Sequence, residues 1–260
     1  MNESDAARIA ASFEADPELL PHLPYLFQDL PSLGGSPTYI VALARRAGAR
    51  PGCRVADLCC GKGDAAIAIA RATGCHVHGV DLFGALVSIA REAAERAGVS
   101  DCCTFEAGDV LSITGLAGFD GVVFTAASPA LGEVRDTVAK LRACVRPGGW
   151  MIIEDGIFGS VSPRRRTTDR SRQDSSPDAS RALSFFGDVV ETQIIVPQRE
   201  RRRFHEANTA AIRRRARELA LQFPNRADLL LRYPELQARR NAEADRSRST
   251  LWLLRRSAGD

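Results

Sequence analysis

Apolar positions along this chain alternate between two spacings. In residues 4–14, Ala6, Ile9, Ala10 and Phe13 recur at helical intervals, and the stretch predicts an amphipathic helix. Residues 18–30 are apolar and aromatic, interrupted by Pro21 and Pro24, and predict a helix packed on the domain. Ser36 and Pro37 form a good helix start for 38–47, which Gly48 closes. Short apolar runs then alternate with helical patterns. Strands are predicted at 54–58, 76–81, 103–106, 119–126 and 150–154, with helices at 64–72, 86–97 and 133–145 between them. The Arg146-Pro147-Gly148-Gly149 stretch reads as a turn. A short helix at 182–186, a sixth strand at 189–196 and a long helix at 200–222 follow. Asn225 with Asp228 suggests a capping box opening a further helix, and 249–255 has strand composition.

This alternation predicts an α/β fold with a doubly wound, mostly parallel sheet of seven strands. We expect one domain over 1–260. Its parts are an N-terminal helical flap (1–48), a core (49–158), a polar loop (159–180) and a C-terminal part (181–260) with a helical insertion before the last strand. Residues 159–180, rich in arginine, serine and aspartate, predict a solvated loop, with a basic clamp for an anionic acceptor as the sharper reading.

Composition narrows the class. The chain has 260 residues, 45% hydrophobic and 26% charged, with a net charge of +3. That charge is too small to imply nucleic acid. The polar, acidic start is no secretory signal, and no apolar run suits a membrane span, so a cytoplasmic protein is expected. The seven cysteines include no C-x-x-C, so reduced packed thiols are expected and no metal site.

The chemistry concentrates in Val55–Asp64, VADLCCGKGD. A strand, a glycine turn and a helix in that order make a nucleotide-type ligand site. Gly61, Gly63 and Ala66 alone do not exclude a dinucleotide. Asp57 and Asp64 argue against one, because carboxylates repel a pyrophosphate and welcome an ammonium and a sulfonium. Asp81, closing the next strand about twenty residues on, is placed to accept from ribose hydroxyls, with a helix cap as the bland alternative.

This stretch resembles motif I of the class I S-adenosylmethionine-dependent methyltransferases, D-x-G-x-G-x-G. Asp57, Gly61 and Gly63 match it, and Cys59 stands where the first glycine sits. The resemblance implies S-adenosylmethionine as cofactor, held by Asp57, Cys59, Gly61, Gly63, Asp81 and Leu82. It further implies Asp109 and Val110 by the adenine, and Thr125 and Ala126 under the methionine part. The N-P-P-Y-type end of strand four is replaced by residues 125–129, which disfavours a nucleic-acid base as acceptor.

A small-molecule acceptor follows as the first choice. Tyr25, Tyr39, Ser128, Phe158 and Phe204 are its candidate contacts, and the N-terminal segment with the C-terminal helices is expected to close over the transferred methyl. His205, His22 and Tyr25 are the candidate bases. Two rivals stay open: non-methylating use of S-adenosylmethionine in cyclisation or rearrangement, and a non-catalytic binding protein. A NAD-dependent oxidoreductase is the weakest reading.

Overall fold

The computed structural model describes residues 2–112, 116–127, 130–154 and 177–259. Ser128, Phe158 and the arginine-rich stretch expected at 164–172 lie outside the described residues. The chain forms two compact units. One combines residues 34–195 with 249–260 and carries the sheet; the other combines 1–33 with 196–248. The segments predicted on either side of the core therefore group together.

The sheet unit runs α3 (Pro37–Arg46), β1 (Arg54–Leu58), α4 (Asp64–Thr73), β2 (His76–Asp81), α5 (Gly84–Arg96) and β3 (Cys103–Ala107). It continues through β4 (Phe119–Phe124), α6 (Val134–Cys144), β5 (Val145–Glu154), α7 (Pro177–Leu183), β6 (Val189–Ile195) and β7 (Thr250–Arg255). The strand order is β3-β2-β1-β4-β5-β7-β6. β7 is antiparallel to both neighbours, and the other pairs are parallel. The expected doubly wound, mostly parallel seven-stranded sheet is present.

Apolar continuity explains the central strands. β1 is buried from Val55 to Leu58, and β4 buries Phe119 and Gly121–Phe124. Val122, Val138, Leu141, Met151, Ile153 and Leu254 are fully buried in one cluster. Each such side chain contributes roughly 1.5–3 kcal/mol of burial. Order reverses between β1 and β4, so a crevice opens at their carboxyl ends. Three further contacts lie within the sheet unit at the carboxyl ends of its parallel strands. Gly34 lies against Ala126, Ile195 faces Thr250, and Ser249 Oγ donates to Glu154 Oε1 at 3.1 Å.

Three local expectations are corrected. R-P-G-G is not a separate turn: Val145 already pairs with Phe119, and β5 runs from Val145 with a register shift before Gly121 pairs with Trp150. Gly148, at φ 74°, absorbs that irregularity without ending the strand. β4 stops at Phe124, two residues early. The predicted 182–186 helix ends at Leu183, leaving Phe185 and Phe186 beyond it as an exposed edge-on pair.

The helical unit contains α1 (Glu3–Ser12), a 3₁₀ turn (Pro17–His22), α2 (Leu23–Leu26), α8 (Gln198–Gln222) and α9 (Ala227–Ala244). Pro21 and Pro24 divide the expected 18–30 helix into these two short pieces. Asn225 makes no capping box; it sits in a 3₁₀ turn (Pro224–Arg226) and α9 starts without a side-chain cap. Phe13, Phe27 and Tyr233 stack in series at centroid distances of 5.2 and 6.4 Å. The Tyr233 hydroxyl donates to the Phe13 carbonyl at 3.0 Å. No helix among the described residues is long and apolar enough to cross a membrane.

Candidate functional site

The site begins where β1 ends. Asp57 is the fourth residue of that strand and is 3% exposed. The chain then turns sharply, with Cys59, Gly61 and Gly63 at φ 60°, 53° and 78°. Glycine takes this left-handed region without strain; a cysteine there costs about 1–3 kcal/mol. Cys60 N–H donates to Val80 O at 3.0 Å, and Gly63 N–H to Cys60 O at 2.9 Å. Gly63 then caps α4.

Asp81 fastens this loop to the end of β2. Its Oδ2 accepts from Gly61 N–H and its Oδ1 from Phe83 N–H, both at 2.8 Å. The helix-cap alternative is thus partly present, since Phe83 N–H belongs to the turn into α5. The same carboxylate also faces the glycine loop, which a simple cap does not require.

Packing beneath the loop explains two residues that sequence reasoning missed. A Cβ on Gly79 would fall 2.6 Å from the Phe105 ring, and one on Gly63 would fall 2.8 Å from it. Phe105 of β3 therefore props the loop through a gap that two glycines leave open. A glycine inside an apolar strand was the available signal. The Leu33-Gly34-Gly35 turn does the same at the other side of the crevice. A Cβ on Gly34 would sit 2.1 Å from Ala126 Cβ, and one on Gly35 would sit 2.8 Å from Glu154 Oε2. Thr125 and Ala126 thus line the end of β4 directly beside this turn, with Ala126 at φ 54°.

Three carboxyls, Asp57, Asp64 and Asp81, gather around this loop, which also carries the buried Lys62. Burial pushes the Asp57 carboxyl up to about 7, against the help of Ala66 N–H; Asp81 and Asp64 raise it further. Its Oδ2 is buried with no hydrogen-bond partner. Burial also raises Asp81, opposed by its two backbone donors. A ligand carrying phosphates would meet only repulsion from these carboxyls. One carrying positive charge and hydroxyl donors fits them.

The remaining predicted contacts fall around this edge or away from it. Gly108 N–H donates to Asp81 O at 3.0 Å, bringing the loop after β3 alongside. In it, Asp109 Oδ1 accepts from Leu111 N–H at 2.9 Å and Val110 packs on the core cluster. Leu82 follows Asp81 and is half-buried, as is Tyr39 in α3.

In the helical unit, Tyr25 donates to Glu218 Oε2 at 2.7 Å, and the Arg215 guanidinium lies 5.2 Å over its ring. His22 packs on Phe223 at 4.6 Å, and burial, with Arg226, lowers its pKa. His205 is held differently. Its Nδ1 lies 3.0 Å from Asp245 Oδ1, which also accepts from Arg201 Nε at 3.2 Å. Arg201 and Asp245 are both buried, and Arg201 also donates to Ser247 O. Burial lowers the His205 pKa despite Asp245, which favours the neutral ring. Phe204 stands 6.1 Å from its ring.

Comparison with known proteins agrees with this geometry. Residues 55–149 match the family described as "Methyltransferase domain". Over 108 residues the chain is 32% identical to a sterol 24-C-methyltransferase of Gibberella zeae. That alignment covers 41% of this chain and 28% of the relative's length. Two solved structures share the fold at a TM-score of 0.69. One is an S-adenosylmethionine-dependent methyltransferase from Thiobacillus denitrificans, 19% identical, covering 90% of this chain and 96% of that one. The other is from Geobacter sulfurreducens, 21% identical, covering 93% and 98%. Both were crystallised with S-adenosylhomocysteine.

The sheet order, the acid-and-glycine loop and the matched core define a class I S-adenosylmethionine-dependent methyltransferase fold. S-adenosylmethionine is the cofactor of that family.

Proposed function

We propose that this protein transfers a methyl group from S-adenosylmethionine to a small-molecule acceptor. The observation that carries the reading is the carboxyl-rich crevice itself. Asp57 offers a buried oxygen with no partner behind a glycine loop that Gly61 N–H ties to Asp81. Asp57, Cys59, Gly61 and Gly63 would hold the cofactor from one side, with Asp81, Leu82, Asp109 and Val110 at the ribose and adenine. Thr125 and Ala126 would lie under the methionine part.

When bound, the cofactor supplies an electrophilic methyl on sulfur and a neutral sulfide leaving group. The protein then has to align the acceptor and exclude water. A base is needed only where the acceptor must lose a proton. Among the three candidates, His205 is the one favoured here. Asp245 orients its ring, its neutral form leaves a lone pair for a proton, and Arg201 fixes the aspartate. Tyr25 is committed to Glu218, and His22 to Phe223 and Arg226. Tyr39 and Phe204 remain proposed acceptor contacts.

The test is to incubate the protein with S-adenosylmethionine and a panel of small metabolites, and to follow masses. A gain of one methyl on an acceptor, with stoichiometric S-adenosylhomocysteine, supports the proposal. A product of rearranged structure and unchanged mass would replace it with a non-methylating role.

A further inference from the structure

We infer that Asp57 carries a proton before the cofactor binds and gives it up when a cationic cofactor takes its place. Cofactor affinity is then set by an exchange of proton for cation at this one carboxyl group. The inference rests on the cofactor reading above and deepens it.

Three observations place the exchange at Asp57. First, the group is 3% exposed, so water cannot solvate a charge there. Second, one oxygen accepts from Ala66 N–H and the other, Oδ2, is buried with no partner. A carboxylate needs more donors than that, whereas a protonated carboxyl carries its own. Third, the charged groups that raise it, Asp81 from β2 and Asp64 from α4, are both acidic, while Lys62 lies buried in the same glycine loop. The thiols of Cys60 in the loop and Cys103 on β3 feel the Asp57 charge, and burial holds both above the usual thiol range. They are neutral and offset nothing.

The consequence for titration is direct. Burial pushes Asp57 up to about 7, so near neutrality a large fraction of molecules hold the proton. A positive charge bound in the crevice near this carboxyl favours the ionised form and drives the proton into solvent. By linkage, affinity for the cation then rises up to about tenfold per pH unit below neutrality, and levels off above it. At about pH 6.5 the cofactor's own α-ammonium is charged, so it contributes no proton change.

The experiment is calorimetric titration of the full-length protein with S-adenosylmethionine at about pH 6.5, in buffers of differing ionisation enthalpy. The dependence of the apparent enthalpy on buffer should report release of a substantial fraction of one proton. Asp57→Asn should bind without release. 5′-Methylthioadenosine, which has neither ammonium nor sulfonium, should also bind without release. S-adenosylhomocysteine, with the ammonium alone, assigns the displacing cation: release identifies the ammonium, and no release the sulfonium. The wild-type affinity measured from about pH 5.5 to 8 gives the same information without a variant. Binding with no proton exchange, or equal release in Asp57→Asn, would overturn the inference and leave the cofactor reading standing. Absence of S-adenosylmethionine binding in any buffer would remove both.

Discussion

The amide of Gly61 and the carboxylate of Asp81 meet at 2.8 Å, twenty residues apart in sequence, and lock the glycine loop after β1 onto the end of β2. Asp81 is therefore both a ligand candidate and a splint. Replacing it with alanine removes the side-chain acceptors of two backbone N–H groups as well as the proposed ribose contact. Asp81→Ala should weaken S-adenosylmethionine binding by about 1–3 kcal/mol. Asp81→Asn, which keeps one acceptor oxygen and the shape, should lose less. Calorimetry on both variants checks the order, and unchanged affinity in the alanine variant would reduce Asp81 to a turn-former.

Cys59 occupies a backbone conformation at φ 60° that suits glycine. Cys59→Gly should relieve that strain at some loss of side-chain packing against the core cluster. We expect a net stabilisation of about 0.5–2 kcal/mol in urea unfolding. A destabilised variant would mean that the thiol's contacts outweigh the backbone term.

Asp57 gives stability a pH dependence of unusual sign. Its native pKa is raised to about 7, above the unfolded carboxyl value of about 4, so the native state binds the proton more tightly. Its contribution is full below about pH 4, declines as pH rises, and is lost above about 7. Asp57→Asn should remove that decline. Relative to wild type the variant should therefore gain stability between about pH 4 and 7, by an amount on the order of a few kcal/mol. Parallel pH profiles for the two proteins would contradict the raised value.

His205 and Asp245 test the proposed base. For an acceptor that must lose a proton, His205→Ala should lower kcat by about 10²–10⁴-fold with S-adenosylmethionine affinity intact. Asp245→Asn should lower it less and shift the pH profile of kcat, because the ring loses its orienting carboxylate. Full activity in His205→Ala would show that the acceptor needs no base from this histidine.

The strands were readable because the central ones are buried on both faces and so appear as continuous apolar runs. β2 is predicted and found at the same limits, His76–Asp81. Edges that depend on a partner were not readable. Val145 joins β5 because Phe119 lies opposite it, and nothing in R-P-G-G announces that. Asn225 has the residue spacing of a capping box, but Pro224 directs the chain into a 3₁₀ turn first. Around the site, motif spacing brought Asp57, Gly61, Gly63 and Asp81 to attention. The prop of Phe105 through Gly79 and Gly63 was hidden, because it depends on three strands being in register. The unpartnered oxygen of Asp57 was hidden for a similar reason. An acid at a strand end can face solvent or a closed wall, and only packing decides which.

Whether this crevice holds S-adenosylmethionine through carboxyl groups, rather than a dinucleotide through phosphates, decides the proposed function. Calorimetric titration of the protein with S-adenosylmethionine, S-adenosylhomocysteine and NAD tests it most directly. Saturable binding of the first two with no heat from NAD is the predicted result. Saturable binding of NAD, with S-adenosylmethionine inert, would contradict it.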